Sequence, residues 1–128
     1  MQQQSKVCEK SFIKVFRGQP RMARVRLEYV PNSTLASFDI QLGNVVETDP
    51  EWTAAVISGV QKGIEYFHTI GIGGEYGNII VEAIIGNLLD TTPDALECAA
   101  FVVLCDLLIP QHPLPPLSAT PPWRFLFN

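Results

Sequence analysis

The sequence predicts an α+β domain, a two-layer sandwich in which a four-stranded sheet carries two helices on one face. Short stretches of alternating apolar and polar residues mark strands in the first third of the chain. Two apolar stripes with helical spacing follow, and a β-branched apolar segment lies between them. Strands that come first, with helices interleaved later, favour one sheet covered on a single side. We therefore expect the element order β-β-β-α-β-α.

Three strands are predicted before the first helix, over residues 11–16, 24–30 and 36–42. The second strand alternates most cleanly, because Val25, Leu27 and Tyr29 share one face and charged residues share the other. Gly18 and Pro20 interrupt the pattern between the first two strands, as turn residues do. Because short turns join the three strands, we expect them to form a meander.

Two helices are predicted over residues 50–69 and 93–109, and a fourth strand over residues 79–85. Asp49 precedes Pro50 and Thr92 precedes Pro93, so each helix begins with a capping residue and a proline suited to the first helical position. The glycine-rich stretch 71–77 predicts a tight turn. It does not fit a nucleotide-binding loop, because such a loop follows a strand and opens a helix.

A chain of 128 residues is long enough to form one domain whose core needs neither disulfides nor a metal. No apolar run approaches the roughly 20 residues of a membrane-spanning helix, and the first residues lack the apolar segment of a secretory signal. The odd number of cysteines, three, argues against a disulfide framework. We therefore expect a cytoplasmic protein with no membrane partner.

Charge is divided unevenly along the chain. Residues 1–30 contain seven lysines and arginines against two glutamates, whereas the rest contains two basic residues against eleven carboxylates. A basic end on an acidic protein favours an anionic partner such as RNA. The candidate nucleic-acid-binding residues lie in the predicted first hairpin: Lys14, Arg17, Arg21, Arg24 and Arg26. The alternative is a hairpin whose charges merely keep an exposed sheet edge soluble.

The segment 110–128 differs in composition from residues 1–109, which would form the α+β domain. Its six prolines exclude a helix or a central strand, yet it ends in an apolar cluster that contains Trp123, Phe125 and Phe127. One aromatic side chain buries roughly 150–250 Å², so exposure of all three rings to water would be unfavourable. We expect Trp123 and Phe125 to be buried against the helices of this chain or of a second copy.

The sequence predicts no catalytic residues, no metal site and no cofactor. His68 would end the first helix, where a cation is favourable, and His112 lies among prolines. Asp90, Asp94 and Glu97 cluster at the start of the second helix, where carboxylates stabilise the positive helix end. The alternative, a paired general acid and base, lacks a nucleophile or metal cluster beside it. We therefore expect a protein that is not an enzyme.

From about residue 10 to residue 109, the chain resembles the fourth domain of translation elongation factor G. The stretch V-I-S-G-V-Q-K-G-I-E at 56–65 is similar to the first helix of that domain. The stretch G-I-G-G-E-Y-G at 71–77 is similar to the following turn, and D-A-L-E-C-A-A at 94–100 to the start of the second helix. The resemblance implies a left-handed crossover between the third and fourth strands, and contact with ribosomal or other structured RNA.

The chain departs from that family at positions that bear on contact with the ribosome. These 128 residues contain no GTP-binding domain and no phosphate loop. Thr91 stands where the family usually carries a histidine, and the first turn keeps Arg17, Gly18 and Gln19 without the surrounding glycines. The resemblance therefore implies a binding module without the GTPase activity.

Two functional hypotheses remain open. The first is an RNA- or ribosome-associated module that uses the hairpin arginines. The second is a protein-interaction or self-assembling module that uses the exposed sheet edge and residues 110–128, which we call the tail. In this module a homo-oligomer would form through the tail. The basic first strands favour the first hypothesis, whereas the acidic balance of the whole chain favours the second.

Overall fold

A computed structural model of the protein describes residues 4–45, 49–71 and 74–127. Within these residues the chain forms four strands and two helices in the predicted order. Their bounds are β1 Lys6–Phe16, β2 Gln19–Pro31, β3 Asp39–Leu42, α1 Pro50–Thr69, β4 Gly77–Ile85 and α2 Pro93–Leu108. The α+β class is confirmed. Of the glycine-rich turn expected at 71–77, residues 72 and 73 lie outside the described residues.

The sheet is mixed, with the strand order β1-β2-β4-β3. β2 pairs antiparallel with both β1 and β4, whereas β3 pairs parallel with β4. The predicted meander is therefore wrong, because β4 lies between β2 and β3. β4 is apolar on both faces, as suits a central strand, and the short β3 carries Asp39 and Gln41 and takes the edge. Helix α1 lies in the connection between the parallel strands β3 and β4. The left-handedness of this crossover stays a prediction that rests on the resemblance.

Both helices cover the same face of the sheet. On β2, Ala23, Val25, Leu27 and Tyr29 are buried, whereas Arg26, which points the other way, is exposed. Helix α2 packs against β1 and β2, and α1 packs against α2 and touches β4. This arrangement is the predicted two-layer sandwich, and it leaves the second face of the sheet uncovered by the described residues. We call that second surface the open face.

Helices α1 and α2 approach each other closely at two glycines of α1. A Cβ atom at Gly59 would lie 2.2 Å from the Glu97 carbonyl oxygen, and one at Gly63 would lie 2.5 Å from Leu104 Cδ2. Any larger residue at either position would push the helices apart. The two helices therefore form one closely packed layer, against which the tail lies.

The β1–β2 hairpin is longer than the sequence predicted, with strands of 11 and 13 residues. Its turn consists of Arg17 and Gly18, both with positive φ, at 52° and 77°. Two such residues form the tight turn whose twist matches that of the flanking strands. Gln19, Pro20 and Arg21 therefore belong to β2 and not to the turn. Pro20 is tolerated because β4 does not extend alongside it.

The tail folds back on itself beside the helices. The backbone N–H of Ser118 donates to the Arg124 carbonyl at 2.8 Å, and that of Leu126 donates to the Pro116 carbonyl at 2.7 Å. These bonds form a short antiparallel pairing within residues 110–127. The paired segment presents its aromatic side chains toward the domain.

The aromatic rings of the tail pack against both helices. Trp123 is 4% exposed, so its predicted burial is confirmed. Phe125, half-buried, stacks on Phe101 of α2 with 4.8 Å between ring centroids, and Phe127 lies 5.3 Å from the Tyr66 ring of α1. The tail thus covers an apolar face of α2 that the sheet cannot reach, and a helix that is apolar on all sides requires such a cover.

Candidate functional site

The five predicted basic residues do not share one surface. Side chains of a strand alternate between the two faces of the sheet. Arg24 and Arg26 therefore lie on the open face, whereas Lys14 and Arg21, which pair across the hairpin, lie on the face that carries the helices. Arg17 occupies the turn. The alternation of the strands therefore separates Arg24 and Arg26, on the open face, from the other three cations, Lys14, Arg17 and Arg21.

The open-face pair is balanced by acidic side chains. The Arg24 guanidinium forms an ion pair with Glu9 and also donates to Ser11 Oγ at 2.8 Å. Arg26 stands directly opposite Glu9 in the register of β1 and β2, and Glu28 follows two residues later on the same face. The centre of the open face is therefore close to neutral, and Arg24 is already engaged.

The other three cations lie close together at the end of the hairpin. We call residues 14–21, which include Lys14, Arg17 and Arg21, the hairpin tip. This segment contains no carboxylate, and none of the three forms an ion pair within the described part of the chain. The Arg17 guanidinium lies 5.2 Å from the centre of the Phe16 ring, and Arg21 donates to the Pro20 carbonyl at 2.9 Å. Positive charge and an aromatic ring therefore occur together at this end.

The tail brings Trp123 to the hairpin tip. Its ring lies 6.1 Å from the Phe16 ring in an edge-on arrangement, and Lys14 Nζ lies 5.8 Å from its centre. The backbone N–H of Trp123 donates to Asp94 Oδ2 at 2.7 Å, which fixes the tail to the start of α2. Sequence reasoning missed this contact, because residues far apart in the chain leave no local pattern. The hairpin and the tail, expected to serve separate hypotheses, therefore meet at one candidate site.

Lys10 lies outside this site because it has a structural partner. Its ammonium group forms an ion pair with Asp106 of α2 at 3.1 Å, and Cys8 Sγ donates to the same carboxylate at 3.2 Å. The hydrogen bond from Cys8 is the main cause that lowers the pKa of Asp106, and the bond from Lys10 acts in the same direction. Burial, assisted by Asp106, raises the pKa of the Cys8 thiol to about 11. This cluster links β1 to α2.

Two further cysteines lie inside the helical layer. Burial raises the pKa of Cys98 and that of Cys105 to about 12, so both thiols stay protonated near neutral pH. A protonated, buried thiol is a poor nucleophile. Both side chains serve as small apolar groups beneath the tail.

Two of the three carboxylates predicted near the start of α2, Asp94 and Glu97, have structural partners. Glu97 accepts hydrogen bonds from Ser58 at 2.8 Å and from Lys62 at 2.5 Å, both on α1. Asp94 accepts from the Thr92 hydroxyl as well as from the tail. Within the described residues, no group of three or more potential ligands is arranged to hold a metal ion. These carboxylates hold the two helices and the tail together.

Exposed apolar side chains lie on the open face and in the loop after β4, which is bonded to Met22 of β2. Leu88 and Leu89, in the loop after β4, are 94% and 87% exposed, and Ile13 and Val15 of β1 are 64% and 62% exposed. The loop is held in place, because the Met22 backbone N–H donates to the loop and the Met22 carbonyl accepts a bond from it. We use the name open-face patch for the strand residues Ile13, Val15, Met22 and Ile85 together with the neighbouring loop residues Leu88 and Leu89. The alternation of residues 11–16 in the sequence predicts that Ile13 and Val15 lie on the face opposite to Phe12. Leu88 and Leu89 belong to no such pattern, so their exposure could not be predicted from the sequence.

No helix in the described ranges is long and apolar enough to cross a membrane. No protein-family model and no curated protein matches the sequence. Among solved structures, the fold is similar to part of a protein from Thermus thermophilus, with a TM-score of 0.61 and 16% sequence identity. The match covers 86% of this chain and 16% of that much longer protein. At this level of identity the likeness shows a shared fold.

Proposed function

We propose that the protein is a non-enzymatic RNA-binding module and that the hairpin tip contacts the RNA. The observation that carries the proposal is the group formed by Lys14, Arg17 and Arg21, three cations at one end of the domain without a carboxylate partner in the described ranges. Cations that project from a hairpin bind phosphates, and nearby aromatic rings can contact bases. Arg26 adds a weaker contact from the open face, and Arg24 is held by Glu9.

The resemblance to the fourth domain of elongation factor G supports the choice of RNA as the partner. In that family the hairpin turn reaches the decoding region of the ribosome, and the corresponding turn here contains Arg17 and Gly18. A ribosomal or other structured RNA in the cytoplasm is the partner class that we propose.

The test is salt-dependent RNA binding by a charge-reversed hairpin tip. We expect the wild-type protein to bind structured RNA at low salt, and Arg17→Glu/Arg21→Glu to lose that binding because both phosphate contacts become repulsive. The double variant should fold, since a glutamate at position 21 faces Lys14 across the hairpin. Binding is measured by fluorescence anisotropy at several salt concentrations.

The matched control is Lys6→Glu/Arg124→Glu, which changes net charge equally at exposed positions outside the hairpin tip. It should bind nearly as tightly as the wild-type protein. Equal losses in the two double variants would mean that net charge, and not the hairpin tip, sets the affinity. Absence of wild-type binding at low salt would exclude the RNA function.

A second candidate is a protein-interaction or self-assembling module, favoured by the open-face patch. Apolar side chains exposed as fully as Leu88 and Leu89, on a loop held by hydrogen bonds, are typical of interaction sites. The tail is less suited to this role, because Trp123, Phe125 and Phe127 are engaged with the same chain. A homo-oligomer through the tail would require copies to exchange that contact.

A further inference from the structure

A small cavity lies between the hairpin tip and the tail. Its volume is about 170 Å³, and it is lined by Phe16, Gln19, Arg21, Pro121 and Trp123. Sites that hold whole drug-sized molecules measure about 300–1,000 Å³. This cavity therefore accepts a single flat ring system and leaves the rest of its ligand outside.

The walls of the cavity combine aromatic surface with hydrogen-bonding groups. Phe16 and Trp123 meet edge-on, and Pro121 adds a further apolar surface. Gln19 Oε1 accepts from Arg21 Nη2 at 3.3 Å, which orients the side-chain amide and leaves its NH₂ group without a partner in the described residues. An oriented amide beside aromatic surface suits the polar edge of a nucleobase.

Trp123 carries a side-chain donor without a partner in the described residues. Its side chain is 4% exposed, yet its indole N–H forms no hydrogen bond within residues 4–45, 49–71 and 74–127. Every fully buried side-chain nitrogen or oxygen in those ranges has a partner, so the indole N–H lies at the small part of the ring that remains accessible. The Trp123 residue lines this cavity and also the larger one at the start of α2, and a ligand that reached the N–H would supply its acceptor.

The positive charge of the hairpin tip lies around the same cavity. Arg21 lines it, Lys14 lies above the Trp123 ring, and Arg17 lies above the Phe16 ring. A base within the cavity would therefore carry its phosphates into a region with three cations. Aromatic contact and phosphate contact at one place are the features of single-strand recognition.

We propose that this cavity binds one unpaired nucleobase and that the protein therefore prefers single-stranded segments of RNA to duplex. The inference rests on the proposed RNA-binding function and adds the part of the RNA that is recognised. In a duplex the bases are stacked and paired, so none can enter a cavity of this size without being unpaired. The hairpin tip binds the flanking phosphates, and the cavity selects the unpaired base.

Fluorescence of Trp123 tests the proposal. The chain has two tryptophans, so Trp52→Phe leaves Trp123 as the sole tryptophan, whose emission is excited selectively at a wavelength that tyrosine does not absorb. We titrate this variant at low salt with a ten-nucleotide single-stranded RNA and with the same sequence as a blunt duplex. The single strand should change Trp123 emission in a saturable manner and bind about fivefold or more tightly than the duplex, the lower end of what one base–aromatic stack contributes.

A pair of glutamine variants in the same background tests how the base is recognised. Gln19→Ala should reduce the preference for the single strand toward equal affinity, because the oriented amide is lost. Gln61→Ala, at an exposed position of α1, should keep the full preference. A preference that survives Gln19→Ala unchanged would overturn the assignment of this cavity.

The outcomes separate this inference from the proposed function. Equal binding of single strand and duplex with unchanged Trp123 emission would overturn the base site and leave RNA binding by the hairpin tip intact. If neither RNA binds, the proposed function fails, and adenosine monophosphate at millimolar concentration then decides the cavity alone. A saturable change in emission with that nucleotide would support the base site, and no change would overturn it.

Discussion

Arg17 adopts a backbone conformation that is unfavourable for an arginine. Its φ of 52° lies in the left-handed region, where a Cβ atom is crowded by the following carbonyl. The first position of a two-residue hairpin turn is more often asparagine or glycine. In this conformation the Arg17 guanidinium projects from the end of the domain and lies above the Phe16 ring. The strain lowers stability, so we infer that an arginine occupies this position because its cation binds the proposed RNA partner.

We predict that Arg17→Asn stabilises the protein and weakens RNA binding. Relief of the left-handed arginine should raise the free energy of unfolding by up to about 1 kcal/mol, and loss of one phosphate contact should flatten the salt dependence of binding. Urea denaturation and anisotropy measure the two effects. Arg26→Asn, at an extended position, is the control and should not be stabilised; a destabilised Arg17→Asn would contradict the strain argument.

Helix α2 and the tail form one structural unit. The residues of α2 that face away from the sheet include Cys98, Phe101 and Cys105, all buried, although a helix of a two-layer domain normally exposes that side. The rings of Phe125 and Phe127 cover them. The tail therefore acts as a third layer over part of the helical surface.

We predict that Phe125→Ala lowers the free energy of unfolding by about 2–3 kcal/mol, somewhat less than the roughly 3–5 kcal/mol of a fully buried phenylalanine. The reason is the loss of its stacking on Phe101. The adjacent Leu126 is exposed, so Leu126→Ala should change stability by less than about 0.5 kcal/mol. Urea unfolding measures both variants, and equal effects would show that the ring stack does not hold the tail.

The helices and strands were predictable where a local pattern determined them. The bounds of α1 follow from Asp49, Pro50 and its apolar stripe, and the structure begins and ends that helix at the predicted residues. The position of β4 between β2 and β3 was not predictable from short turns, because it depends on which strand is apolar on both faces. Local sequence determines the elements, whereas competition for the centre of the sheet determines their order.

At the scale of the whole molecule, the candidate site arises where the β1–β2 hairpin meets the tail. The hairpin arginines were visible in the sequence as a basic cluster, and Trp123 was visible as an apolar residue that required burial. Their contact depends on the tail crossing the start of α2, where Asp94 binds the Trp123 backbone. No spacing rule connects residues 16 and 123, so the cavity between them could not be predicted.

The second candidate function makes a prediction about assembly. If the open-face patch joins copies, sedimentation should give the wild-type protein a mass above the 14.2 kDa of one chain. The variant Leu88→Ser/Leu89→Ser should then have the mass of a monomer, because the exposed leucines supply the contact between copies. Leu114→Ser/Leu126→Ser is the matched control on exposed leucines of the tail. A wild-type protein that is monomeric at high concentration would exclude self-assembly, and an effect confined to the control would assign it to the tail.

The docking of the tail also has a consequence for biosynthesis. A ribosome makes residues 110–127 after α2, so the nascent chain presents the uncovered ring of Phe101 until Phe125 has been added and has left the exit tunnel. During that interval the helix exposes an apolar strip of the kind that chaperones bind and that promotes aggregation. A chain that stops between residues 109 and 125 would retain all the described strands and helices but would keep this apolar strip exposed. The tail therefore conceals this strip of α2 only after Phe125 has been synthesised.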